Sequence, residues 1–283
     1  MKVCTLVSEV KKLISDSRKS GKTIGFVPTM GALHLGHIAL VEHAIKECGF
    51  AVVSIFVNPT QFNDKADLEK YPRPFENDMA MLQKAGIDVL FAPGVQEIYP
   101  EGNSTSKWKS VALRDLDHVM EGLHRPGHFK GVMQVVSRLF EIVEPDKAYF
   151  GQKDFQQLAV IREMVKQLNS TVSVIGCPTI REKDGLAMSS RITRLSDAER
   201  KLVPSISQVL FKVKELSATK TAVELKNYVT NEFNSEPRFN LEYFEIADAT
   251  TLQPVVNLAD HKNKVACVAV NLGGVRLIDN VIL

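Results

Sequence analysis

Long apolar runs are missing from this sequence. None approaches the ~18 uninterrupted residues that cross a bilayer, so no membrane span is expected. Cysteine is scarce: Cys4, Cys48, Cys177 and Cys267 are scattered, with no CxxC pair. That usage fits reduced thiols in a cytoplasmic protein. Cys267, between Ala266 and Val268 in an apolar run, reads as core filler. An excess of one charge is missing as well. Lys and Arg total 35 against 33 for Asp and Glu, and the resulting +2 gives no global argument for nucleic acid or a membrane surface. The first residues include Lys2 but no unbroken apolar core, because Glu9, Lys11 and Lys12 interrupt it; no secretory signal is expected. Internal repeats and low-complexity tracts are absent. What is present is an ordinary globular composition, 45% hydrophobic and 24% charged over 283 residues. It suits one large or two modest domains with a sizeable core.

The most informative stretch runs from Thr23 to Cys48. Ile24–Val27 is a short apolar run of the kind a buried strand gives, and Pro28 and Gly31 break it. From Leu35 onward Leu35, Ile38, Val41, Ala44 and Ile45 recur at helical spacing, with Glu42, Lys46 and Glu47 opposite. The pattern reads strand, turn, helix. His34 and His37 flank Gly36 on the first helical turn and share a face. A helix N-terminus after a parallel strand favours phosphate through its unpaired N–H groups and dipole. Two imidazoles there donate hydrogen bonds to oxygens whose charge grows in a transition state. The same pattern also fits a capped helix with surface histidines, or a metal pair short of two further ligands.

The rest of the first 180 residues alternates strand and helix. Helix Leu6–Ser20 precedes the stretch above; strand Ala51–Val57 follows it, an unbroken apolar run suited to a sheet covered on both faces. Asn58 and Gln61 follow that strand and point to the same sheet end as the histidines, or simply make a polar turn. Asp67–Pro74 reads as loop, Phe75–Ala85 as helix with Gly86 as its cap, Val89–Ala92 as strand, and the next residues through Lys109 as a polar stretch. EGLHRPGHFKGV brings Arg125, His128 and Lys130 between Gly122 and Gly131, a loop suited to an anion or to solvent, with a helix Val132–Ile142 beginning after Gly131. Strand Pro145–Gly151 leads to Lys153 at the head of a helix. A cation there neutralises phosphate charge, or is merely solvated. Strand Val172–Gly176 ends the series. Ser189, Ser190 and Arg191 in DGLAMSSR supply hydroxyls and a permanent charge, a phosphate clamp or a plain polar loop. Gly185 reads as a hinge. From Ser196 the alternation stops: a capping box opens one helix, Ala222–Phe233 forms another, and Leu241–Ile246, Lys264–Asn271 and Val275–Ile278 read as strands.

The HLGH turn resembles the HxGH signature of the nucleotidyltransferase superfamily. Five strings in order, PTMGALHLGH, FVNPTQF, EGLHRPGHFKGV, FGQKDFQQL and DGLAMSSR, resemble the pantoate–β-alanine ligase family across nearly the whole chain. The resemblance implies a Rossmann-like parallel-sheet α/β domain over residues 1–180 that binds nucleotide and pantoate, and a smaller α+β lid domain over 181–283. It implies ATP-dependent ligation of pantoate to β-alanine through a pantoyl-adenylate. His34, His37, Lys153 and Arg191 would be catalytic. Pro28, Met30, Gly151, Asp154, Ile180, Met188, Ser189 and Ser190 would join them around ATP. Asn58, Gln61, Tyr71, Arg125, His128, Gln134 and Gln157 would hold pantoate or β-alanine. Asp78 would help hold Mg²⁺, or would only complement its helix dipole. A homodimer in the cytoplasm, with no nucleic acid or membrane partner, is also implied. Gln152 stands where the family usually has an acid, and Ile192 and Arg194 stand where it has Asn and Tyr. Three alternatives compete: another HxGH nucleotidyltransferase, a synthetase-like module that holds tRNA without catalysis, and an inactive homologue. The pantoate-type strings, the near-neutral charge and Lys153 argue against them in turn.

Overall fold

The computed structural model describes residues 1–62, 65–100 and 107–283. The chain divides into two compact units. One comprises Met1–Leu113, Arg125–Gln152 and Gln157–Pro178; the other comprises Arg114–His124, Lys153–Gln156 and Thr179–Leu283.

In chain order the elements begin with β1 (Lys2–Cys4), α1 (Val7–Lys19), β2 (Ile24–Thr29), α2 (Leu35–Glu47) and β3 (Phe50–Ile55). They continue with α3 (Lys65–Glu69), α4 (Phe75–Ala85), β4 (Val89–Phe91), α5 (Val95–Ile98), α6 (Met120–His124), α7 (His128–Val143), β5 (Lys147–Gly151), α8 (Phe155–Gln167) and β6 (Ser173–Cys177). Among the described residues, six strands make one parallel sheet in the order β1-β4-β3-β2-β5-β6. This is the expected Rossmann-like arrangement. Strands β2 and β3 are buried along most of their length, as a sheet covered on both faces requires. Val27, Val41, Val53, Leu82, Leu90 and Tyr149 join them in the core.

The sheet opens where the strand order reverses. Strand β2 pairs with β3 over all six of its residues but with β5 only at Gly25 and Phe26. Pro28 has no N–H to give a neighbour, so the last residues of the strand need no partner on the β5 side. A crevice at the carboxyl ends on either side of such a switch point is where open α/β sheets take ligands.

Three readings need correction. Residues 65–69 form the short helix α3, whose last three residues fall in the stretch read as loop from Asp67. Helix α7 starts at His128, three residues before Gly131, so Gly131 lies inside its first turn. Gly122 and Gly131 are required by close packing: a Cβ at Gly122 would stand 2.5 Å from the Asp117 carbonyl oxygen, and one at Gly131 2.4 Å from that of Thr60. Strand β1 leaves no pattern to read because it is three residues long, two of them exposed. Of the polar stretch before Lys109, residues 101–106 lie outside the described residues.

The second unit carries α9 (Asp197–Leu202), α10 (Ser205–Leu216), α11 (Ala222–Asn234), β7 (Phe239–Asp248), β8 (Lys264–Leu272) and β9 (Val275–Ile282). The three strands pair antiparallel in that order. Helices α10 and α11 bury Ile206, Leu210, Val213, Leu225, Val229 and Phe233 with the sheet's Phe244 and Val268. The expected Ser196–Glu199 capping box opens α9, and Thr221–Glu224 repeats it at α11. Gly185, read as a hinge, sits in a hairpin. Arg181 bridges to Ala187, the Met188 N–H donates to the Ile180 carbonyl, and Gly185 takes the left-handed φ of 89° that closes this hairpin. Arg181 ties the hairpin down by a bidentate pair to buried Asp279, at 2.7 and 3.0 Å.

Gly131→Ala forces a methyl into the Thr60 carbonyl, and overpacking of this kind costs roughly 1–3 kcal/mol. Urea unfolding should show that loss; a variant as stable as the parent would mean that α7 does not press on the 58–61 turn.

Candidate active site

The turn between β2 and α2 is built around Asp78. The Ala32 N–H donates to its Oδ2 at 2.8 Å and the Leu33 N–H to its Oδ1 at 2.7 Å. Gly31 and Ala32 both carry positive φ, 81° and 51°. Such a turn persists only when something over-determines it, and the carboxylate does so. Asp78 is 1% exposed. Burial pushes its carboxyl above the usual range, and the N–H groups of Leu33 and Ala32 pull it back. Each oxygen accepts one turn N–H, and among the described residues no group of three or more His, Cys, Asp or Glu is arranged for a metal. Thr29 completes the turn: its hydroxyl donates to the Ser54 carbonyl at 2.7 Å and accepts from the Gly31 N–H at 3.2 Å.

The turn delivers His34 to the N-cap of α2 in extended conformation, with His37 three residues on. Their rings lie 4.1 Å apart, centroid to centroid. The His34 N–H donates to His37 Nδ1 at 3.3 Å, so the proton of a neutral His37 sits on Nε2. The two imidazoles thus stand together at a helix N-terminus, as the HLGH spacing predicts.

Beyond β3, Asn58 is fully buried and its amide is saturated inside the protein. Its Nδ2 donates to Gln61 Oε1 at 3.2 Å and to the Gly131 carbonyl at 3.1 Å. Its Oδ1 accepts from the Thr60 N–H and hydroxyl, at 3.4 and 3.1 Å, and from the Tyr99 hydroxyl at 3.0 Å. These five contacts are all to protein groups. Gln61 is 8% exposed, and its Nε2 donates to Met30 Sδ at 3.0 Å. This brings together residues expected around nucleotide and around pantoate.

His128 is buried next to Gln61. The Arg125 guanidinium only donates, so at 3.1 Å His128 Nε2 accepts; its proton is on Nδ1 and goes to the Gln61 carbonyl at 2.9 Å. On α7, Gln134 is 4% exposed, and its Nε2 has no hydrogen-bond partner among the described residues. A buried amide left with unused donors is a candidate for a ligand's oxygens. Tyr71 meets Phe62 edge-on at 5.7 Å. Gly151 ends β5, and Gln157 lies half-buried in the first turns of α8.

In the second unit, Lys153 pairs with Asp154 at 3.6 Å, its side chain 19% exposed. The neighbouring Asp154 supplies the countercharge that Gln152 does not. The Lys153 carbonyl accepts from Asn280 Nδ2 at 2.8 Å, which anchors the residue's backbone to β9. Ile180 and Met188 are joined across the hairpin described above. The Ser189 hydroxyl accepts the Arg191 N–H at 3.3 Å and caps the short turn Ser190–Arg194. Ile192, a departure from the family string, packs against the unit's apolar core.

Sequence reasoning passes over Tyr99 and Glu121. Tyr99 bonds a residue 41 positions away, a distance no local pattern reveals. Glu121 lies in the EGLHRPGH string but serves structure: Arg276 grips it at 2.7 and 2.8 Å and the Tyr243 hydroxyl donates to it at 2.8 Å.

A parallel sheet opened at its order-reversing strand, with two imidazoles and a buried glutamine beyond the strand ends, defines a Rossmann-like α/β protein with a polar small-molecule site. Residues 2–282 match the family model described as pantoate-beta-alanine ligase. A protein of Porphyromonas gingivalis named pantothenate synthetase is 50% identical over 281 residues, covering 99% of each chain. One of that name from Acetivibrio thermocellus is 44% identical over 286 residues, 100% of this chain and 99% of its own. The crystal structure of pantothenate synthetase from Thermus thermophilus aligns with TM-score 0.90 at 42% identity, over 99% of each chain. That of the Francisella tularensis pantoate-beta-alanine ligase, complexed with beta-gamma ATP and beta-alanine, aligns with TM-score 0.80 at 33% identity, over 100% and 97%. The chain belongs to the pantoate–β-alanine ligase family and is a ligase.

Asp78→Ala leaves the buried Ala32 N–H and the part-buried Leu33 N–H without an acceptor, and a buried orphan costs roughly 1–3 kcal/mol. Asp78→Asn keeps one acceptor and should fall between it and the parent in urea unfolding. The Mg²⁺ concentration for half-maximal ligation should be higher in Asp78→Asn than in the parent. An unchanged value would leave Asp78 to the turn alone.

Proposed function

We propose that this ligase activates pantoate with ATP and passes it to β-alanine. The pantoate carboxylate oxygen attacks the α-phosphorus, the bond to the bridging oxygen breaks, and pyrophosphate leaves. The β-alanine amine then attacks the acyl carbon of the pantoyl-adenylate. AMP leaves with the carboxyl oxygen, the amine gives up a proton, and pantothenate remains. The observation that carries the reading is the imidazole pair held by Asp78 at the N-terminus of α2, in a chain of this family. The Francisella relative's complex with beta-gamma ATP and beta-alanine supports the choice of substrates.

The roles follow from chemistry. His34 and His37 donate to phosphate oxygens whose charge rises in adenylyl transfer. Lys153 neutralises the same charge, and Ser189, Ser190 and Arg191 clamp the departing phosphates. Pro28, Met30, Gly151, Asp154, Ile180 and Met188 line the nucleotide. Gln61, Gln134 and Gln157 hold pantoate oxygens, with Arg125 and Tyr71 nearby. Mg²⁺, if present, would offset phosphate charge, with Asp78 as the side chain expected to help hold it, directly or through water; no step here is routed through the ion. Residues 1–180 act as the substrate-binding part and 181–283 as a lid. A homodimer in the cytoplasm completes the reading; the four cysteines, all unpaired and buried, support that compartment. No helix among the described residues is long and apolar enough to cross a membrane.

Labelled pyrophosphate should exchange into ATP only when pantoate is present, with β-alanine omitted. Exchange without pantoate, or release of ADP and phosphate, would replace the adenylate by another intermediate. In Lys153→Ala, losing one charge-stabilising donor should slow single-turnover adenylate formation by roughly 10²–10³. ATP affinity should change far less. An unchanged single-turnover rate would remove Lys153 from the chemistry.

A further inference from the structure

Tyr99 is buried at 4% exposure, and nothing in the mechanism above uses it. It stands at the end of a chain of amides whose polarity is fixed by two backbone groups. The Gly131 carbonyl only accepts, so the atom of Asn58 facing it at 3.1 Å is Nδ2. The Thr60 N–H only donates, so the atom facing it is Oδ1. Facing that oxygen, the Tyr99 hydroxyl donates. The second hydrogen of Asn58 Nδ2 then points at Gln61, and the Gln61 atom that receives it, at 3.2 Å, is Oε1. Gln61 is left with Nε2 turned away from this network, where its partner is the Met30 thioether, a weak acceptor. Burial pushes the Tyr99 phenol up to about 12, with the Thr60 hydroxyl working the other way, so it stays a donor across the working pH range.

We propose that Tyr99 and Asn58 are positioning residues that lock the Gln61 amide with its oxygen inward, so that Gln61 meets its ligand only as a hydrogen-bond donor. The subsite then selects oxygens that accept, as a carboxylate or a hydroxyl lone pair does, and disfavours a group with only a proton to offer. A site whose buried polar atoms have fixed polarity rejects a mismatched partner more strongly than an apolar pocket rejects an isostere. The inference rests on the reading of Gln61 as a pantoate contact, and the experiment separates the two.

Pantoate and ATP KM values and kcat are measured for Tyr99→Phe, Asn58→Asp, Gln61→Ala and the Tyr99→Phe/Gln61→Ala double variant, each checked for parental melting behaviour. Tyr99→Phe should raise the pantoate KM roughly 2–10-fold, the worth of one hydrogen bond. Its ATP KM and kcat should stay within about twofold. Asn58→Asp keeps the size but offers at most one donor in place of two, and should raise the pantoate KM at least as much. In the Gln61→Ala background Tyr99→Phe should add nothing, because there is no amide left to orient. If Gln61→Ala raises the pantoate KM while Tyr99→Phe does not, or if Tyr99→Phe costs the same in both backgrounds, the positioning role is overturned. If Gln61→Ala leaves the pantoate KM unchanged, the pocket assignment itself fails and the inference falls with it.

Discussion

One buried carboxylate sets the shape of the site. Asp78 accepts from two successive backbone N–H groups of a turn in which Gly31 and Ala32 both hold positive φ. An alanine in the left-handed region is costly on its own, and two hydrogen bonds to a buried charge are among the stronger neutralising contacts a protein offers. The carboxylate therefore fixes the turn, the turn fixes the start of α2, and α2 fixes where two imidazoles stand. Burial disfavours the charge and the N–H groups favour it, so the group sits between opposing pressures at the one place where it is needed.

A second constraint acts on polarity. Amides are symmetric in shape and opposite in chemistry at their two ends, so a buried amide carries information only if something decides which end is which. Around Asn58 that decision comes from main-chain groups that cannot be reversed, the Gly131 carbonyl and the Thr60 N–H. The absence of a side chain at Gly131 is what lets α7 come near enough to take part. His128 follows the same logic, since a guanidinium that can only donate forces its tautomer. In both cases a group whose hydrogen-bonding role cannot change fixes which end of its neighbour donates and which accepts.

The two units use their charged residues differently. In the second, Arg181 pairs with Asp279 and Arg276 with Glu121, and both carboxylates are buried. These pairs join the hairpin of the DGLAMSSR string and the start of the EGLHRPGH string to the strands of their own unit. Breaking such a pair from one side strands a buried charge, which costs more than the pair contributes. Motif residues of this kind are held by structure, and a motif alone does not separate them from residues held by chemistry.

Much was legible in the chain itself. The apolar runs of β2 and β3, the helical spacing after Leu35, Gly86 in its left-handed cap and the Ser196–Glu199 box are local patterns, and local patterns survive reading in one dimension. So did the adjacency of His34 and His37, which three residues of helix guarantee. The short β1 and α3 were not legible, because three or five residues give no period to detect. Nor was the start of α7, where Gly127 caps in the left-handed region and Gly131 suggested a boundary. The sequence by itself determined the alternation of strand and helix, the change of class after Ser196, the histidine pair and the family. Only the tertiary structure decided that Asp78 holds a turn 45 residues away, that Asn58 and His128 bond to Gln61, and that Tyr99 bonds to Asn58. The reason is physical: a hydrogen bond between distant residues depends on where sheet and helices bring the backbone, and no spacing along the chain encodes which end of an amide will face which carbonyl.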